Sequence, residues 1–215
     1  MDLTRALKFP FDDENWLMKF VVGTLMSLVG VILPFIPLGY QVHVARSVMR
    51  GHDRPLPGSE DIGQVVADGL MAFIGGLVYA IPGLLVGCFL MFSDAILSGS
   101  DIGGLLFLCL LCVFVPIMFL YGVAAMAMTW MGIIRYTESG NFSEFLRFGE
   151  LFRDVRDNTS TLLTLLLYMF LVGLIVSLGM SVAWITCVGI PALIFYSQVV
   201  SGHLLGQAGL EITRS

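Results

Sequence analysis

Charge is what this sequence has least of. Lys, Arg, Asp and Glu make up 13% of the 215 residues and the apolar set AVILMFWYC 57%, whereas a soluble domain carries roughly a quarter and roughly half. That imbalance excludes an ordinary water-soluble fold. The net charge of -5 leaves no basic stripe to neutralise phosphates, which removes nucleic acid as a partner. Cysteine is scarce as well: Cys88, Cys109, Cys112 and Cys187 all lie in uncharged stretches, so a disulfide framework of the secreted kind is not expected. Cys109 and Cys112 are spaced as CxxC but have no His, Asp or Glu nearby, and read as small apolar helix-face residues. There is no P-loop, dinucleotide fingerprint or HExxH. His43 and His52 flank Arg46 and Arg50 without further ligands, and no hydroxyl is paired with a base. These absences predict no catalytic centre, no cofactor and no metal.

What the sequence has instead is long apolar runs. No charge falls between Lys19 and Arg46, Asp68 and Asp94, Asp101 and Arg135, or Asp157 and Glu211. Each interval can hold a spanning helix of roughly 20 residues, and the last can hold two. The fold class expected is all-α: a polytopic transmembrane helical bundle forming one integral-membrane domain over 1–215, with spans near 16–49, 69–92, 102–134, 159–180 and 183–206. Pro34 and Pro37, Pro82, and Pro116 fall inside the first three and predict kinks. The first stretch is read as one bent helix from Trp16, an interface-anchoring residue, to Met49; the alternative is a helix that turns back near Pro34. The last two spans reverse between Gly179 and Trp184. Met1–Phe20 mixes Arg5 and Lys8 with four acids and lacks a small-x-small cleavage signal, so the first span is expected to be retained.

Two polar connectors, 41–68 and 132–159, hold seven of the eleven basic residues, and the positive-inside bias places both in the cytoplasm. Arg46, Arg50 and Arg54 are topology determinants and candidate contacts for anionic headgroups. In the second connector, Phe142, Phe145, Phe148, Leu151, Phe152 and Val155 share one helical face opposite a charged one. That pattern predicts an interfacial amphipathic helix over about 142–155, with Phe145, Phe148 and Phe152 against the membrane. A weaker counterpart has Ile62, Val65 and Val66 set against Asp61, Gln64 and Asp68. Gly63 with Asp68 and Gly149 with Asp154 repeat a Gly-x4-Asp spacing, consistent with a parallel internal duplication rather than an inverted one.

The residues Phe9-Pro10-Phe11, Trp16, Leu38-Gly39-Tyr40, Arg50-Gly51, Pro55-Leu56-Pro57, Asp61-Ile62-Gly63 and Asp68-Gly69-Leu70, with His203-Leu204-Leu205-Gly206-Gln207-Ala208 near the end, resemble a prokaryotic family of membrane proteins catalogued as a domain of unknown function. The resemblance implies a prokaryotic cytoplasmic-membrane protein and supplies no catalytic or binding residues. Intramembrane ionisable groups, which mark ion-coupled machinery, are nearly absent from the apolar runs. His203 alone lies close to one and reads as a packed or interfacial imidazole. The functional expectation is therefore a non-catalytic accessory or scaffold subunit, in contact with the bilayer and with other membrane subunits. A small-molecule or lipid channel or transporter is the alternative.

Overall fold

Two prolines close together decide the first part of the chain. In the computed structural model, which describes residues 1–30, 32–52, 56–97, 99–183 and 189–214, the expected helix from Trp16 to Met49 is two helices, α2 (Trp16–Val29) and α3 (Phe35–Met49). A short α1 (Leu3–Lys8), capped by the Asp2 carboxylate, precedes them. Pro34 and Pro37 each lack a backbone donor. One stands just before α3 and the other in its first turn, where a missing N–H leaves no intrahelical bond unmade. The single continuous helix is thereby corrected to a broken one.

The remaining helices are α4 (Ile62–Leu97), α5 (Asp101–Ser139), α6 (Phe148–Asp157), α7 (Thr159–Ala183) and α8 (Gly189–Arg214). No strand occurs among the described residues. Of these helices, α4, α5 and α7 are long and apolar enough to cross a membrane. Pro82 and Pro116 lie inside α4 and α5, which run through them without interruption. The weak amphipathic stretch around Val65 is the first turns of α4 itself. The expected interfacial helix over 142–155 is divided into a 3-10 turn, Phe142–Leu146, and α6. Trp184 and the rest of 184–188, which include the end of the expected reversal and Cys187, lie outside the described residues.

Helix α8 organises the first hairpin. Phe195 stands edge-on to Phe20 of α2, with ring centroids 5.3 Å apart, and to Tyr40 of α3 at 5.1 Å. A Cβ on Gly23 would lie 2.1 Å from the Phe195 ring, so the ring enters only because that side chain is missing. Two arms meeting one ring from either side mean that α2 and α3 run back along each other. The base is tied by Lys19 Nζ, which donates to Leu56 O beyond α3 at 3.0 Å and pairs with Asp13. Helix α3 then packs along α8, with Gly202 against Gln41 and Gly206 against Val48. At the α3–α4 contact, a Cβ on Gly39 would stand 1.9 Å from Val65 O and one on Gly69 2.0 Å from Phe35 O. Backbones this close need glycine on both sides.

The core lies at one end of the molecule. Its largest buried side chains include Val42, Val65, Met131, Phe145, Leu165 and Leu204, drawn from the connector-side ends of α3, α4, α5 and α7 and from α8. Beyond Tyr79 in α4 and before Trp130 in α5, the only buried residue among the described residues is Gly103. Helices α1 and α8 associate through Tyr196, which donates to Leu7 O, and through stacking of Phe9 on His203 at 4.4 Å. Because α3 runs back along α2, residue 5 and the first connector belong to the same side of the molecule. With the native cysteines replaced, Arg5→Cys and Gly63→Cys should both react with an impermeant maleimide from one side of sealed vesicles; labelling from opposite sides would show that α2 and α3 cross as one span.

Candidate functional site

The polar centre of the molecule joins α3, α4 and α5. Arg46 occupies the last turns of α3 and Asp68 the second turn of α4, and the guanidinium grips the carboxylate with both terminal nitrogens, Nη1 to Oδ2 and Nη2 to Oδ1, the latter at 2.9 Å. Asp68 is 0% exposed. Its Oδ1 also accepts from Gln64 Nε2 at 3.0 Å and from the Tyr136 hydroxyl of α5 at 2.9 Å. The Arg46 guanidinium lies 5.6 Å from the Tyr136 ring centroid. Four donors thus meet the buried carboxylate, three at Oδ1 and one at Oδ2. A buried ion pair offsets its desolvation only when further hydrogen bonds support it in this way. The arrangement ties three helices together.

A second cluster repeats the first. Arg135 of α5 pairs with Glu150 at 2.8 Å, Asp154 at 2.9 Å and Glu144 at 3.4 Å. The correspondence is residue by residue: Arg46 and Arg135 each stand five residues before a left-handed glycine, Gly51 at φ 73 and Gly140 at φ 70. Those glycines end α3 and α5 in the conformation that an L side chain resists. Gln64 and Glu150 follow Gly63 and Gly149, the next residues Val65 and Leu151 are both buried, and Asp68 and Asp154 close the segment. The Gly-x4-Asp spacing is therefore matched by an equivalent Arg–Asp pair in each copy. Tyr136, next to Arg135, reaches across to Asp68 and interlocks the two. The clusters differ in exposure. Glu150 is open to solvent and its carboxyl is held below the ordinary range by its hydrogen bond to Arg135. Its pairing therefore contributes above the ordinary carboxylate range and is lost as the pH falls beneath it.

The residues singled out from the sequence are dispersed. Arg46, a candidate headgroup contact, is instead 11% exposed and committed to Asp68. Arg50 is exposed at the end of α3, and Arg54 lies outside the described residues. Phe145 is corrected most sharply. It is 0% exposed, and a Cβ on Gly75 or Gly132 would stand 2.5 or 2.6 Å from its ring. Its carbonyl accepts from the Tyr79 hydroxyl. It fills the cleft between α4 and α5 and does not face lipid. Phe148 and Phe152 remain exposed at 48% and 63%, and Trp16 is half-buried, edge-on to Phe11 at 5.4 Å. Cys88, Cys109 and Cys112 are free and exposed, and among the described residues no group of three or more His, Cys, Asp or Glu is placed to hold a metal.

Beside the Arg46–Asp68 pair is a cavity of about 630 Å³. His43, Arg46, Ser47 and Arg50, at positions i, i+3, i+4 and i+7 of α3, form one wall, and Gln64 and Thr137 belong to the others. His43 Nδ1 is buried there without a hydrogen-bond partner. Sequence reasoning missed this centre because Asp68 sits at the edge of an apolar run and counts as connector. The Gly-x4-Asp repeat was the available signal.

Removing one member of the Arg46–Asp68 pair should cost about 3–5 kcal/mol, and replacing both by apolar residues should recover most of it. A double-mutant cycle on Arg46→Met and Asp68→Leu, read from unfolding in detergent, checks this; strictly additive losses would mean that the pair is not coupled. Tyr136→Phe should cost about 1–3 kcal/mol, as expected for a hydrogen bond to a charged group.

Comparison with known proteins gives two matches and one absence. Residues 22–188 match the family model described as "Protein of unknown function (DUF4013)", a stretch that includes both arginine clusters. An uncharacterized protein of Methanocaldococcus jannaschii is 24% identical over 165 residues, covering 77% of this chain and 54% of that protein. The chain thus spans about half the length of the curated relative it matches. No solved structure matches. With its family model covering most of the helices and both Arg–Asp pairs, the chain belongs to the DUF4013 family.

Proposed function

We propose that this protein is a non-catalytic integral membrane subunit that serves as a scaffold for other membrane proteins. One observation carries the reading: the hairpin of α4 and α5 is apolar yet almost uncovered. Only 11% and 6% of their most apolar stretches are buried, and Leu84, Leu85, Phe89, Phe119 and Leu120 all stand exposed. At 1.5 Å per residue, the 36 residues of α4 extend about 54 Å, against about 30 Å of hydrocarbon. A surface of that length and character suits contact with lipid along one part and with neighbouring helices along the rest. The polar groups serve cohesion in this reading. Arg46 and Arg135 tie helices to one another at the connector end, and the hairpin projects from that fixed base. In this reading α4, α5 and α7, the helices long and apolar enough to cross, are joined by α8 as a fourth crossing, with α2–α3 as a re-entrant pair, one crossing fewer than the five expected from the sequence. The positive connectors favour the cytoplasmic side of a prokaryotic membrane.

The cavity beside Arg46 favours a second reading, a carrier or channel for a small polar molecule. Its support is the unpartnered His43 Nδ1 on a wall of convergent donors. Purification from native membranes in mild detergent separates the two. The scaffold reading expects a stable heteromeric complex that is lost when Leu85 and Phe89 are changed to Ser. Migration alone, together with solute flux in proteoliposomes that falls on His43→Ala, would overturn it in favour of the carrier.

A further inference from the structure

The acids and bases of the second connector are sorted by direction. Glu144, Glu150 and Asp154 all pair with Arg135, Glu150 while still open to solvent, and Leu151, 0% exposed, seats α6 on the core. Phe148, Phe152 and Arg156 stand at i, i+4 and i+8, which makes one continuous stripe along the helix, with Arg153 beside it. Both arginines are exposed, and neither makes a salt bridge among the described residues. Asp157 is the one acid of α6 that is not turned to Arg135, and it lies on the far side of the wheel from Phe148. The outward side of the helix therefore carries two exposed aromatic rings and an excess of positive charge.

The stripe is continuous with the apolar surface of the long helices. The Phe148 ring lies 5.7 Å from that of Tyr79, edge to face, and the next outward residues of α4, Ile81 and Leu84, are more than half exposed. Whatever covers Ile81 and Leu84 continues without a gap onto Phe148 and Phe152. An apolar stripe at the end of a spanning helix, bordered by free arginines, has the chemistry of the headgroup layer: rings below the phosphates and guanidinium groups at their level.

We propose that α6 is a contact site for anionic phospholipid, in which Phe148 and Phe152 enter the interface and Arg156, with Arg153 beside it, binds the headgroup phosphate. The Arg135 cluster holds the helix in the orientation that the contact needs, since it consumes the acidic side chains that would otherwise repel the bilayer surface. Basic residues near an anionic surface gain attraction that a neutral surface does not provide, so the site distinguishes lipids by charge and not by chain length.

Hydrogen exchange of the full chain in nanodiscs of phosphatidylcholine, with and without phosphatidylglycerol, tests this. Amides of 148–157 should exchange on the order of tenfold more slowly when phosphatidylglycerol is present. That difference should vanish in Arg153→Gln/Arg156→Gln and persist in Arg153→Lys/Arg156→Lys. Inorganic phosphate added to the phosphatidylcholine discs should leave exchange unchanged. Equal exchange in the two lipids, an undiminished difference in the glutamine variant, or protection by phosphate alone would each overturn the assignment. Protection of the α4 and α5 amides in both lipids reports separately that these helices stand in the bilayer.

Discussion

A carboxylate with no solvent-exposed surface must be met by donors of the protein, and Asp68 shows what this requires. Two guanidinium nitrogens, an amide and a phenol converge on it from three helices. None of these donors can move far without leaving a charge uncompensated in an apolar surround, where the loss is several times that of a surface ion pair. The crossing of α3 and α4 through Gly39 and Gly69 fits the same demand, since only backbones in contact let the short Asp68 side chain and the long Arg46 side chain meet end to end. Tyr136 then fixes where α5 lies. One buried anion thus links both helices of the long hairpin to α3.

The same local grammar recurs around Arg135, with a different balance. Where the first copy has neutral Gln64, the second has Glu150, and where the first carboxylate is buried, Glu150 is open to solvent. A buried pair contributes rigidity; an open cluster in water is weakened by salt and acid. The two copies thus divide the labour between holding the spanning helices and holding the short helix that lies across their ends.

Much of this was legible in the sequence. The uncharged runs marked α4, α5 and α7, and the prolines at 34 and 37 marked a break whose consequence, reversal or bend, they could not decide. That choice rests on Phe195, far along the chain, entering beside Gly23. Phe145 was misplaced for a reason that belongs to membranes. Periodicity separates apolar from polar faces, but here both the protein interior and the lipid are apolar, so a ring filling a cleft between glycines and a ring facing acyl chains carry the same pattern. Arg46 and Asp68 were misplaced for the converse reason. Charge near the end of an apolar run ordinarily belongs to water, and only a partner 22 residues away, signalled by nothing but the repeated Gly-x4-Asp spacing, draws it inside.

The wedge at Phe195 bears on the order in which the molecule is completed. Helices emerge from synthesis one after another, and α2 with α3 is made before α8. The ring that separates their arms, the Tyr196 hydroxyl that receives α1 and the groove that receives Gln41 and Val48 all belong to α8. Until then the early hairpin has no permanent neighbour on that side, and its buried hydroxyls at Thr24 and Ser27, which find no partner even in the finished fold, face whatever the membrane offers. The hairpin of α2 and α3 therefore takes its final place only once α8, far along the chain, has been made.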